Sequence, residues 1–398
     1  MVGESLYSFL GHAHGRASYI VPLLKDIAMQ ALEADRTRSI SANLIKAIKR
    51  NDIMRLTASP ELSGLNETYV GIANELRAIA PLCTSTAWVI WNHLVLFHHF
   101  CALLGPKHID FLGEISTKHQ WVCQGAGAGT TVTGTANNGR VVLNGVSAFG
   151  SGCRYADWTG IAFNAESAPP DFAIINLGDP NVRIDPTWEA MSVRASATDH
   201  IYFDDVEISA SHIVPWPIKD RVCYRDPDHR VIHQRYREDW GVTAVMWLGA
   251  MASGIADTSL NEMAEGIKER VAIFGTKMVE RPTIHVNIGK ARALIDAATD
   301  TVYAALRETD ARIAAKAAPT EGDYFRQASA GMQAIVLCDE AMKLILRVLG
   351  GNGLREGTDF ERRYRDFQAL PLHILAHIDR ITEQHGRIIL GLESQNPF

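Results

Sequence analysis

Apolar residues recur every three or four positions in two early stretches, "VPLLKDIAMQALEADR" (Val21–Arg36) and "TYVGIANELRAIAPL" (Thr68–Leu82). That is the period of a helix with one buried face. The cluster "SPELSGLN" (Ser59–Asn66) between them reads as a turn. The texture changes near residue 119. "TTVTGTANNGRVVLNGVSAFGSG" (Thr130–Gly152) has β-branched runs broken by Asn-Asn-Gly and Asn-Gly, which close hairpins. "DFAIINL", "VRIDPTW" and "HIYFDDVEIS" read as further short strands. A polar stretch, Ile218–Asp239, reads as a loop or excursion. From Trp240 onward the pattern is helical again, with three long amphipathic segments and a last helix at the C-terminus. The expected architecture is α+β: an N-terminal helical domain (1–118), a central β-barrel or sandwich (119–225) and a C-terminal four-helix bundle (226–398).

Composition removes several function classes. The chain has 398 residues, 47% hydrophobic and 21% charged, with a net charge of -6. That is ordinary for a soluble globular protein and lacks the basic footprint of a nucleic-acid binder. The six cysteines form no C-x-x-C pair, and their wide spacing suits a reducing, cytoplasmic setting. One run, Thr84–Pro106, carries no Asp, Glu, Lys or Arg and is close to the length of a spanning helix. It also holds Asn92, His93, His98 and His99, which are costly in lipid, so it is expected as a buried core helix and not a membrane anchor.

Four motifs in order carry a resemblance. They are "GRVVLNGVSAFGSGCRYADW" (Gly139–Trp158), "VRASATDHIYFDDVEISASHIV" (Val193–Val214), "ERVAIFGTKMVERPTIHVNIGKARALIDAA" beginning at Glu269, and "LGGNGLREGTDFERRYRD" ending at Asp366. Together they resemble the acyl-CoA dehydrogenase fold superfamily. Phe149-Gly150-Ser151-Gly152 followed by Ala156-Asp157-Trp158 is similar to its flavin-dependent monooxygenase branch, although Ser147 stands where that branch often has Trp. The resemblance implies flavin contacts from Gln124, Gly125, Phe149, Ser151 and Gly152. It also implies contacts from Arg270 and Phe274, in a helix opening "R-x-x-x-F-G", and from Gly350, Gly351, Asn352 and Gly353, both groups reaching a neighbouring subunit's cofactor.

Many acyl-CoA dehydrogenases use a Glu eight residues after the Arg-Asp of "E-R-x-x-R-D". Eight residues after Asp366 this chain has Ile374, and seven after it stands His373. The resemblance therefore points to the oxygenase component of a two-component system. It would take reduced FMN or FADH2 from a separate NAD(P)H:flavin reductase and react it with O2 through a C4a-hydroperoxyflavin. It would then hydroxylate an aromatic, heteroaromatic or amine substrate. His373 would be the acid/base group, since imidazole titrates in the useful range. Ser151 would sit beside the reacting edge of the flavin, and His93, with His98 and then His99 behind it, would be a second polar group. Pro371 would start a helical turn that aims His373. His373 and His377 as a metal pair is the weaker reading, because no Glu lies between them, and no metal is expected. A dehydrogenase with bound FAD and a non-catalytic binding subunit are the alternatives, and a homotetramer is implied.

Overall fold

The computed structural model describes residues 14–127, 129–165, 170–209, 212–216, 230–272 and 275–394. Among the described residues the N-terminal part holds five α-helices: α1 (Leu24–Thr37), α2 (Ala42–Lys49), α3 (Tyr69–Ile79), α4 (Thr84–Leu104) and α5 (Ile109–Thr117). Local chemistry sets several of the ends. The Ser41 and Thr68 hydroxyls cap α2 and α3 by accepting from Leu44 and Gly71 N–H, and α4 stops at Gly105, whose φ is 63°. Helix α4 is the apolar run. It is long and apolar enough to cross a bilayer, yet almost all of its surface is wrapped by protein. Burial on every side explains why its sequence shows no polar face.

Eight strands follow among the described residues: β1 (Val122–Gln124), β2 (Thr133–Asn137), β3 (Arg140–Gly150), β4 (Trp158–Ala165), β5 (Asp171–Asn176), β6 (Val182–Asp185), β7 (Asp199–Ser209) and β8 (Ile213–Pro215). Their order is β6-β7-β3-β2-β4-β5-β8, with β1 parallel to β4. The β2–β3 hairpin closes through Asn138 and Gly139, both at positive φ (47° and 77°), as Asn-Gly foretells. Leu143, Ile161, Phe163, Ile201, Phe203 and Val206 build a separate core for this unit.

The C-terminal part contains α6 (Trp240–Gly266), α7 (Pro282–Ala314), α8 (Glu321–Leu349), α9 (Asp359–Phe367) and α10 (Ile378–Ile389). Helices α6, α7, α8 and α10 make the bundle, and α9 crosses to the N-terminal helices. Helix α6 is not amphipathic as expected; it is buried along most of its length. It approaches α8 closely at Gly249 and Gly331, where a Cβ on Gly331 would strike the Val245 carbonyl. Trp91 Nε1 donates to Ala244 O (3.1 Å) and Trp247 Nε1 to Tyr69 O (3.2 Å), so α4, α6 and α3 are stitched together. The N-terminal helices and the bundle thus share one continuous core.

Two local expectations change. Helix α6 ends at Gly266, so Arg270 lies in a loop closed by a Val271–Lys277 bridge and not in a helix. Phe274 lies outside the described residues. Pro371 does not open a helix; His373 caps a 3-10 turn, Ile374–Ala376, and α10 begins only at Ile378.

Candidate active site

Ser151 lies in the tight turn that joins β3 to β4. Gly152 makes the turn possible at φ 80°, and its N–H donates to Ser196 O (2.8 Å) and Ala197 O (3.1 Å). The Gly152 N–H is thus occupied by the loop before β7. The turn is thereby locked to the loop before β7, in which Val193 and Ala197 are also left-handed. Ser151 is 7% exposed, and its hydroxyl receives a hydrogen bond from Trp88 Nε1 (3.1 Å) and pairs with Thr198 Oγ1 (3.0 Å), which in turn pairs with Ser196 Oγ (2.7 Å).

His373 meets the same tryptophan. Its ring stands edge-on to Trp88 (5.5 Å between centroids) and to Trp91 (5.0 Å), two residues on one face of α4. Burial alone pushes its pKa down to about 4, so the ring is neutral at pH 7. Leu375 N–H donates to Nδ1 (3.3 Å), which assigns the ring proton to Nε2. Ser151 and His373 therefore converge on Trp88 from two distant parts of the chain.

The other histidines do not join them. Both ring nitrogens of His93 are used by the backbone: Nε2 by Met54 O (2.9 Å) and Nδ1 by Val122 N–H (3.1 Å). Burial lowers its pKa to about 4. With no ring nitrogen left for a reactant, His93 is a core tie, which corrects its expected catalytic place. His98 Nε2 bonds Glu238 O (2.9 Å), and His99 packs on Trp240 (4.5 Å). His377 is separated from His373 by the 3-10 turn and starts α10.

The expected cofactor residues split into two groups. In the first, Phe149 is 47% exposed at φ 58° and borders a recess of about 300 Å³ shared with Trp188 and Thr198. Gln124 Oε1 and Ser147 Oγ are buried with no hydrogen-bond partner among the described residues. At Gly125 and Gly127 a Cβ would collide with the Ser147 hydroxyl and the Phe149 ring, so the backbone itself forms the surface. An exposed ring, bare backbone and unspent polar atoms fit the flat, polar-edged ring of a flavin. The second group is the turn Gly350–Leu354, with Gly350, Gly351 and Asn352 exposed and Gly353 buried. Arg270 Nη1 donates to Leu349 O (3.2 Å), which joins it to that turn.

The motif "E-R-x-x-R-D" acts as a clamp. Asp366 Oδ1 accepts from Val193 N–H (2.7 Å), and Asp366 O accepts from Ser192 Oγ (3.0 Å), which holds the loop carrying Ser196 and Thr198. Arg365 pairs with Asp35 of α1 and Glu361. Burial raises the Asp366 pKa to about 7, against the pull of Arg365 and the Val193 N–H. The sequence reading missed Trp88, Trp91, Thr198, Ser196 and Asp366 as site-builders. The "S-T-x-W" and "R-x-S-x-T" patterns contained the signal for three of them.

Comparison with known proteins agrees with this fold. Residues 246–377 match the family model described as acyl-CoA dehydrogenase, C-terminal domain. The oxygenase subunit HsaA of a flavin-dependent monooxygenase from Rhodococcus jostii is 22% identical over 386 residues, covering 95% of this chain and 98% of that one. The structure of XiaF from Streptomyces in complex with FADH2 and glycerol superposes with a TM-score of 0.86 at 16% identity, covering 99% and 98% of the two chains. The complex of TdsC from Paenibacillus with FMN and indole gives 0.82 at 18% identity, covering 95% and 97%. The chain thus shares the fold of these flavin-dependent oxygenases, and its residues 246–377 match the acyl-CoA dehydrogenase C-terminal domain.

Proposed function

We propose that the chain is the oxygenase component of a two-component flavin-dependent monooxygenase. It hydroxylates an aromatic or heteroaromatic small molecule, or an amine, using O2 and reduced FMN or FADH2 from a separate NAD(P)H:flavin reductase. The observation that carries this is the pairing at Trp88. Where a dehydrogenase of this fold would hold its Glu base, the chain has exposed Ile374, and the adjacent His373 packs as a neutral imidazole on the tryptophan that bonds Ser151. The full-length relatives bear the names of such oxygenase subunits.

Bound reduced flavin supplies the electrons that activate O2. Gln124, Gly125, Phe149 and Ser151 would hold it against the β unit. Trp88 and Trp91 offer apolar walls that exclude water, which protects an oxygen-activating site from wasteful discharge. The Nδ1 contact gives His373 a donor face at Nε2. It therefore orients a substrate oxygen by donation more readily than it removes a proton, which modifies its expected role as base.

The test supplies a flavin reductase, NAD(P)H and O2, and screens phenols, indoles and amines for a product 16 mass units heavier. His373→Ala should keep flavin binding and lose product formation by about a hundredfold or more, the usual worth of such a group. An unchanged rate in that variant removes His373 from the chemistry, and no product from any class overturns the reading.

The assembly we propose is a homotetramer. Leu372, Ile374, Ile378, Ile388, Ile389, Leu390 and Leu392 are exposed on α10 and the segments flanking it, apolar side chains that a second copy would cover. The half-buried Arg270 beside the exposed turn Gly350–Asn352 supports a contribution to a neighbour's cofactor. Five described cysteines are free and buried, which supports a cytoplasmic setting.

A further inference from the structure

The hydroxyls of Ser196, Thr198 and Ser151 form a chain with one proton more than its links consume. Three hydroxyls carry three protons, and the two contacts, Ser196–Thr198 (2.7 Å) and Thr198–Ser151 (3.0 Å), use two. The third must leave the chain. Ser196 cannot release it, because Ser196 is fully buried and its hydroxyl has no other partner among the described residues. A buried donor without an acceptor is strongly disfavoured, so Ser196 donates to Thr198. The free proton then emerges at Ser151 or at Thr198.

The two settings differ in what Ser151 can do. If Thr198 donates to Ser151, both acceptor positions of Ser151 are filled, by Thr198 and by Trp88 Nε1–H, and Ser151 donates outward. If Ser151 donates to Thr198, one of its lone pairs is free to accept, and Thr198, which lines the recess beside Phe149, carries the outward proton. Rotation of two hydroxyls interconverts the settings without breaking any other bond.

We infer that Thr198 is a positioning residue that lets Ser151 serve as donor to an oxidised flavin and as acceptor to a reduced one. The inference rests on the flavin reading above. Reduction changes one flavin ring nitrogen from a bare acceptor to an N–H donor, so a hydroxyl facing it must reverse its role. Thr198 receives the Ser151 proton when that happens. Trp88 cannot, because an indole N–H only donates.

Thr198→Val keeps the shape of the side chain and removes that acceptor. Ser151 can still donate to an acceptor, but when it accepts, its own proton has no partner. The experiment measures the Kd of oxidised FMN in air and of reduced FMN under anaerobic conditions, for wild type, Thr198→Val and Thr198→Ser. Thr198→Val should weaken reduced FMN at least about fivefold more than oxidised FMN, given the cost of one buried unpaired hydroxyl. Thr198→Ser should restore the wild-type ratio. A packing defect would weaken both forms alike. An unchanged ratio in Thr198→Val overturns the inference and leaves the flavin reading standing. Failure of wild type to bind either form overturns that reading and the inference with it.

Discussion

Helix α4 carries His93, His98 and His99 within two turns, and identical chemistry reads differently at each. Which neighbours a ring meets is a property of the packed molecule. Burial holds His93 at a pKa of about 4 and His98 at about 3, both below the ordinary 6.5. Their folded-state pKa values are depressed, so their stabilising effect is complete above pH 6.5 and is lost as pH falls towards 4 and 3. Each costs about 1.4 kcal/mol per pH unit in that window. Asp366 acts in the opposite direction. Its folded pKa of about 7 lies above the unfolded value of 3.8, so its protonated form favours the fold on acidification between pH 7 and 4. Urea unfolding at pH 7 and pH 5 should therefore show a steeper acid loss in Asp366→Asn than in wild type. Equal losses would mean that Asp366 is already ionised in the fold.

The close crossing of α6 and α8 depends on glycine. At Gly331 a Cβ would stand 2.5 Å from the Val245 carbonyl carbon, whereas a Cβ on Gly386 of α10 meets nothing within 4 Å. Alanine at both sites gains the same helix propensity, up to about 1 kcal/mol. Gly386→Ala should raise the melting temperature slightly. Gly331→Ala should lower it, losing about 1–3 kcal/mol by forcing two backbones apart. A stabilised Gly331→Ala would show that α6 and α8 can slide without cost. The strands follow a simpler rule. Asn138-Gly139 sets the β2–β3 turn locally, so that hairpin was legible from four residues. The β3–β4 turn was legible only as "F-G-S-G", because its lock to Ser196 and Ala197 comes from a segment more than forty residues away.

For the whole molecule, the exposed apolar residues near α10 set the expected assembly. Size-exclusion chromatography with light scattering should give a mass near four times 43.8 kDa. Ile389→Glu with Leu390→Glu, two residues 82% and 76% exposed, should shift it to smaller species while each subunit stays folded. A wild-type monomer at micromolar concentration would leave that surface unexplained. The N-terminal helices and the bundle share one core, while the β unit keeps its own. The candidate site lies where these meet, with α4 on one side and the β3–β4 turn on the other.

Periodicity, hairpin chemistry and the order of helical and β segments follow from local physics, so the three-part architecture and the long buried helix could be read from the chain. Resemblance to the flavin-dependent branch also singled out Ser151 and His373, and the count from Asp366 puts Ile374 where many dehydrogenases have Glu. Facing was not legible. Helix α4 is apolar on all sides, so its hydropathy pattern does not tell which side chain meets the site; only the "S-T-x-W" motif marks Trp88. Packing alone turned His93 towards Met54 and Val122 and brought Trp88 against both Ser151 and His373. The hydroxyl chain through Thr198 is likewise a product of long-range contact. Ser151 is 47 residues from Thr198 in sequence, and Asp366 clamps the loop that carries Thr198 and Ser196 beside it.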